Sequence, residues 1–362
     1  MDSTHLLHLG ENIVSMMRGA MMMLFVVLSV LLYPRRRENS ILNFLFWLLV
    51  VMIVLLTVSL GFMIEGVKDN ERFNDFVGLL DMCLIPLIAG FLMTIVMPDY
   101  FNSRRILILL VPSLAFLLGY GFTQYDILYT IGFIYTAVIA LVAFLLVIVI
   151  SIRYDKYLKN NYSNIDNKTV GWVRKVILVF AAWYTAWSFV ISQDNPYWDS
   201  LYYLFMIGVW VYIYICSTRH IVTFHTDDIF DIVTLETLET LDRVPVVEDE
   251  RGDFKTKLEL CMDTDRVWLN PVITLQDMAL ILNTNRTYLS EYFNRSLGVT
   301  FYDYLNGYRI TYACELLLSE PNLSVLLIGE KSGFKSLSTF RRAFEKQMNM
   351  TPSKYRQMNK EM

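Results

Sequence analysis

Seven stretches within the first 216 residues are too apolar and too long to rest in water, which restricts this half of the chain to very few folds. They run at about Ile13–Tyr33, Ile41–Ile64, Phe76–Met97, Ile106–Phe122, Ile127–Ile152, Trp172–Ser192 and Tyr197–Cys216. A helix of about 20 apolar residues crosses a bilayer and pairs its own backbone groups, which lipid cannot do for it. The second and fifth stretches are uninterrupted, the fourth is short and carries Pro112, and the seventh is rich in Tyr and Trp. Composition points the same way: 55% hydrophobic against 18% charged is too apolar for one soluble domain. Most of the excess precedes Cys216, so the overall charge averages two unlike halves and says nothing about partners.

Loop charges orient the bundle. The turns after the first, third and fifth stretches hold eleven Lys and Arg: Arg35, Arg36, Arg37, Arg104, Arg105, Arg153, Lys156, Lys159, Lys168, Arg174 and Lys175. The opposite loops hold only Lys68 and Arg72, beside Glu65, Asp69, Glu71 and Asp75. Basic loops stay on the cytoplasmic side. The pattern predicts an outside N-terminus, seven crossings and a cytoplasmic C-terminal part. The opening MDSTHLLHLGEN lacks a basic region, so no cleaved signal peptide is expected.

Two charges within the first and third stretches stand out. Arg18 is the discordant cation, placed to snorkel outward, and Asp81 lies five residues before Pro86. An intramembrane acid is a candidate functional residue. Arg18 and Asp81 are read as a possible sensing or coupling pair, with a purely structural pair left open. Tyr120, Tyr125, Trp183, Trp187, Tyr197, Trp198, Tyr202 and Tyr203 gather toward the outer side, either as an interfacial belt or as the lining of a pocket.

From Ser217 to Gly252 the character changes to a connector with nine acids and three arginines. Phe230, Val233, Leu235, Leu238 and Leu241 recur at roughly helical spacing. That suits a surface helix or linker, or a short dimerising helix. His220 and His225 beside Asp227 and Asp228 form either a metal site or ordinary juxtamembrane surface. The four cysteines, Cys83, Cys216, Cys261 and Cys314, have neither metal-site nor redox spacing.

Residues 253–362 read as a separate soluble helical unit. Thr274 with Asp277 three residues on forms a variant capping box before Ala279 and Ile281–Leu282. Asn283 to Asn285 make a break, RTYLSEYFNRS forms a second helix and Gly298 stops it. Two short helices across a tight break are the helix-turn-helix layout. A longer helix, FYDYLNGYRITYACELLLSE, follows, and then the layout recurs in SVLLIGEKSGF and STFRRAFEKQM. Phe334, Phe340, Phe344 and Tyr355 are assigned to the core, leaving Ser338, Thr339, Arg341 and Arg342 partly outward. From Lys331 to Met362 the net charge is +6, the electrostatic footprint of a groove reader.

The pattern Gly333-Phe334, Ser336, Ser338, Phe340, Arg342, Phe344, Thr351-Pro352 and Tyr355-Arg356 resembles the signature of the AraC/XylS family of bacterial transcription regulators. Leu289, Phe293, Phe301, Tyr304-Leu305, Arg309, Ala313 and Leu316-Leu317 extend the match over roughly Lys255 to Gln357. The resemblance implies that Arg286, Thr287, Ser290 and Glu291 face DNA from the first reading helix. It implies that Lys335, Ser336, Ser338, Thr339 and Arg342 do so from the second. Family members hold both readers on one rigid helix, facing successive major grooves. Three positions depart from the pattern. Glu291 stands where a basic or neutral residue is usual, and either accepts from cytosine or pairs with Arg295. Asn349 replaces a glycine and tolerates the left-handed turn. Gly329 replaces an alanine, which should weaken its helix slightly.

The expectation is an all-α fold: a seven-helix transmembrane bundle (1–216), an acidic connector (217–252) and an AraC-type domain of two helix-turn-helix motifs (253–362). With it goes a function, a regulator in the bacterial inner membrane that couples a signal sensed by the bundle to gene expression. Its expected partners are double-stranded DNA, membrane lipid, a small-molecule or membrane signal, and a second copy in a homodimer. No phosphate loop, metalloprotease pair or nucleophile elbow is present, so neither enzymatic activity nor a cofactor is expected. The alternative is a transporter or transport-coupled receptor with a regulatory cytoplasmic domain.

Overall fold

The computed structural model describes residues 3–63, 70–98, 103–190, 196–221 and 251–359. Regular structure among them is helical apart from one isolated bridge between Tyr162 and Thr274. The predicted connector helix, with His225, Asp227 and Asp228, lies outside the described residues. The chain forms two compact units. The first holds the described residues up to Arg153 and from Val170 to 221; the second joins Tyr154–Thr169 to 251–359.

The first unit contains α1 (Ser3–Leu32), α2 (Ser40–Ser59), α3 (Glu71–Met82), α4 (Leu84–Val96), α5 (Ser103–Thr123), α6 (Asp126–Asn161, through its first part), α7 (Gly171–Val190) and α8 (Pro196–Arg219). The described residues of each predicted span fall on helix. Among the described residues six stretches are long and apolar enough to cross a membrane by length and composition, and α7, which carries the sixth predicted span, is not one of them. The third span is two helices rather than one. Pro86 has no N–H to offer the Met82 carbonyl, and the chain breaks at Cys83. Pro112, by contrast, sits within an unbroken α5. Asn39 caps α2 by accepting from the Leu42 amide at 2.8 Å. Aromatic contacts tie the layers together: Phe25 meets Trp210 edge-on at 5.5 Å, packing α1 on α8, and Phe44 meets Phe91 at 6.0 Å, packing α2 on α4. The helices α5 and α6 leave large aliphatics uncovered, among them Ile108 at 69% exposure and Leu141 at 61%.

Helix α6 has 36 residues and is about 54 Å long at 1.5 Å per residue. A hydrocarbon core takes up about 30 Å of that. Its C-terminal turns, from Tyr154 onward, belong to the second unit.

The second unit adds α9 (Arg251–Asp263), α10 (Leu275–Ile281), α11 (Arg286–Glu291), α12 (Phe301–Ser319), α13 (Val325–Lys331), α14 (Leu337–Met348) and α15 (Pro352–Met358). Two hydrophobic cores share α12. Phe301 and Leu305 belong to a core with Leu258, Met278, Leu289 and Phe293. Ile310, Ala313 and Leu317 belong to a second with Ile328, Phe334, Phe340 and Phe344. Arg309 stands between them, 1% exposed. Its Nε donates to the Trp268 carbonyl at 2.7 Å, Nη2 to Asn270 O at 2.9 Å and Nη1 to Ser163 O at 3.2 Å. Its guanidinium also lies 5.7 Å from the centre of the Phe334 ring. Burial pushes its pKa down to about 10, and it remains charged at neutral pH.

Gly333 is fixed twice over. Its φ is +82°, and a Cβ there would lie 2.7 Å from the Trp268 carbonyl oxygen. Gly329 is also a packing residue, which corrects the expectation of a merely weakened helix. A Cβ at 329 would meet Phe340 Cδ1 at 2.8 Å and Cγ at 3.0 Å, near the root of a fully buried ring. Restoring alanine therefore trades a propensity gain of about 1 kcal/mol against an overpacking cost of about 1–3 kcal/mol. We expect Gly329→Ala to lower the thermal midpoint of the full-length protein. A raised midpoint would mean that the ring yields freely.

Candidate nucleic-acid interface

Both candidate reading helices start from tight turns closed by backbone and capping hydrogen bonds. In the first pair, Thr274 and Asp277 complete the capping box of α10, each bonding the other's backbone amide. Asn283 adopts a left-handed φ of 52°, the Thr284 amide returns to the Ala279 carbonyl at 2.9 Å, and Asn285 caps α11 by accepting from the Tyr288 amide at 2.7 Å. In the second pair Gly333 takes the left-handed position, the Phe334 amide reaches Gly329 O at 3.0 Å, and Ser336 caps α14 by accepting from the Thr339 amide at 3.2 Å. Asn349 ends α14 with φ 55°, as its tolerance of that region predicted. The Lys346 ammonium bonds Asp303 at 2.7 Å, tying α14 to α12.

The predicted contact residues lie on α11 and at the start of α14, but they are not equally open. Thr287, Lys335, Ser338 and Arg342 are exposed, and Arg286, Ser290, Glu291 and Ser336 are half-buried. Thr339 is 5% exposed, which corrects its outward assignment. Glu291 pairs with Arg295 at 3.5 Å, one of the two roles left open for it.

Thr339 is covered by a segment that sequence reasoning missed. Residues 157–168, the end of α6 and the turn after it, lie along this unit. The Asp166 carboxylate accepts from Ser336 Oγ at 2.7 Å, from the Thr339 hydroxyl and from Arg342 Nη2 at 3.4 Å. Asn161 Oδ1 accepts from Arg286 Nε at 3.0 Å, and the Tyr157 ring centre lies 5.8 Å from that guanidinium. Between these points the Ser163 amide donates to Ile273 O at 3.2 Å. Lys168 lies 4.2 Å over the Tyr162 ring; burial holds its ammonium below the usual lysine range, and the charge of Lys335 adds to the effect. In the sequence NNYSNIDNK the loop charge is the more evident feature. Its run of Asn, Ser and Asp side chains was the one available sign of a polar docking segment.

Over residues 278–358 the chain matches the family described as a helix-turn-helix domain. Residues 278–358 form an AraC-type helix-turn-helix domain. The relatives agree. The HTH-type transcriptional regulator YdeC of Bacillus subtilis is 39% identical over 87 residues, which cover 24% of this chain and 30% of that protein. YtdP, an HTH-type transcriptional regulator of the same organism, is 34% identical over 90 residues, covering 25% and 12%. The melibiose operon regulatory protein of Escherichia coli is 32% identical over 89 residues, covering 25% and 29%. The chain thus spans less than a third of the length of each. Among solved structures, the C-terminal domain of the response regulator AraT from Geobacillus stearothermophilus is 28% identical, covering 32% of this chain and 88% of that one, with a TM-score of 0.26. Each match leaves most of this chain uncovered.

The polar residues of the apolar half are placed as follows. Arg18 donates to Tyr203 Oη at 3.2 Å and to Ser59 O at 3.3 Å. Asp81 lies in the last turn of α3, beside the break at Cys83. Tyr120 is buried and donates to Asp75, while Tyr202 and Tyr203 meet edge-on at 5.4 Å. The side chains of Trp183 and Trp187 lie outside the described residues. His220 is buried rather than on the surface, and burial pushes its pKa down to about 4, which leaves the imidazole neutral.

Proposed function

We propose that this chain is a membrane-held transcription regulator: the AraC-type domain binds double-stranded DNA, and the apolar helices anchor it and receive the signal. The paired reading helices carry this reading. Two helix-turn-helix units share α12, and Arg286, Thr287 and Ser290 on α11, Lys335 and Ser336 in the turn that opens α14, and Ser338, Thr339 and Arg342 on α14 are the residue types that contact bases and phosphates. Arg342 forks to guanine, and the hydroxyls and Lys335 hold phosphate or base edges. The large exposed aliphatics of α5 and α6 favour lipid over water as the surroundings of the first unit.

In this reading the bundle crosses the inner membrane seven times, with the N-terminus outside and the AraC-type domain in the cytoplasm. Regulators held in one membrane meet at raised effective concentration, which favours pairing on DNA. Asp81, beside a broken helix, and Arg18 are the proposed coupling residues.

Four measurements test the reading. Full-length protein in lipid nanodiscs should bind selected duplexes with an affinity that falls steeply with salt, as phosphate contacts require. Arg342→Ala should cost roughly 10–100-fold in discrimination between a selected and a scrambled duplex, the worth of one bidentate base contact; unchanged discrimination removes Arg342 from base reading. A reporter fused after Met362 should be active only on the cytoplasmic side, and a periplasmic signal would refute the topology. Asp81→Asn should change the transcriptional response of intact cells while leaving duplex affinity in nanodiscs unaltered; a wild-type response excludes Asp81.

A further inference from the structure

We propose that residues 157–168 form an internal strap that occupies the DNA face of the AraC-type domain, so that the regulator is self-inhibited until the strap leaves. The inference rests on the proposed DNA-binding role of α11 and α14.

The strap reaches both readers at once. Asp166 gathers Ser336, Thr339 and Arg342 of α14, and Asn161 takes Arg286 of α11. A carboxylate held by two hydroxyls and a guanidinium reproduces the way a backbone phosphate oxygen is held. The donors are the same atoms that duplex binding would use, and Thr339 is closed to solvent. Strap and duplex therefore exclude each other.

The hold is also loose enough to release. The Arg342 side chain is 74% exposed, so its ion pair with Asp166 contributes little. Asn160 Oδ1 and Ser163 Oγ are buried in the strap without a hydrogen-bond partner among the described residues. When Ser163 leaves Arg309, that guanidinium keeps the Trp268 and Asn270 carbonyls. The strap is continuous at one end with α6, which runs unbroken from Asp126 to Asn161, and it is followed closely by α7 from Gly171. The strap is thus joined to the first unit through α6 itself and not through the acidic connector.

The test uses full-length protein in nanodiscs and a duplex selected from a random-sequence pool with the Asp166→Asn chain. Asp166→Asn should bind that duplex roughly tenfold more tightly than the wild type, because the binding-competent fraction rises. Glu315→Gln removes the same charge from an exposed position on α12 outside the strap and should change affinity less than about twofold. Equal affinities of wild type and Asp166→Asn, or equal gains in both variants, overturn the strap and leave DNA binding intact. Duplex binding by none of the chains at low salt overturns the DNA reading and the strap with it. Hydrogen exchange gives a second measure on the unmodified chain. Amides in 157–168 should lose protection when duplex saturates the protein, and unchanged protection at saturation refutes the exclusion.

Discussion

The C-terminal unit is organised around one buried charge. A guanidinium removed from water must have its donors satisfied, or the burial costs several kcal/mol. Arg309 achieves this with carbonyls from Trp268, Asn270 and Ser163, none of which lies on its own helix. These segments must therefore converge on the middle of α12. The Trp268 carbonyl that takes Arg309 also abuts Gly333, at the turn of the second helix pair. The two cores, the turn before α14 and the strap all meet at this point. The placement of both readers follows from it.

Much of this unit was legible in the sequence because its signals are local. A capping box needs only Thr274 and Asp277, a left-handed turn only Asn349 or Gly333, and a core face only phenylalanines four residues apart. The structure bears out each of these. What was not legible is what depends on distant neighbours. Gly329 looked like a weak helix residue, yet the Phe340 ring needs the space that a methyl would fill. Thr339 looked outward because helical spacing cannot register Asp166, 173 residues away along the chain. The hydrogen-bonding side chains of the 157–168 turn were hidden under its tally of basic residues.

In the apolar half, hydropathy located the helices well but not their interruptions or their true ends. The third stretch reads as continuous, yet Pro86 divides it, while Pro112 fails to break α5. The apolar part of α6 stops near Ile152, but the helix runs to Asn161 because Tyr154, Tyr157 and Leu158 are buried in the second unit. Arg18 and Asp81 were singled out as the charges within lipid, but sequence spacing does not say that Arg18 donates to Tyr203 and Ser59.

The contact between Gly333 and Trp268 also bears on the genome that such a protein would read. The Trp268 carbonyl leaves no room for a side chain at Gly333, and α12 runs through both cores, so α11 and α14 pack on one common helix. B-form DNA turns by about 35° per base pair, so a rigid two-pronged ruler tolerates no change of phase between the sites it reads. Under the proposed function, operators for this protein would vary in their bases but not in the spacing of their two halves.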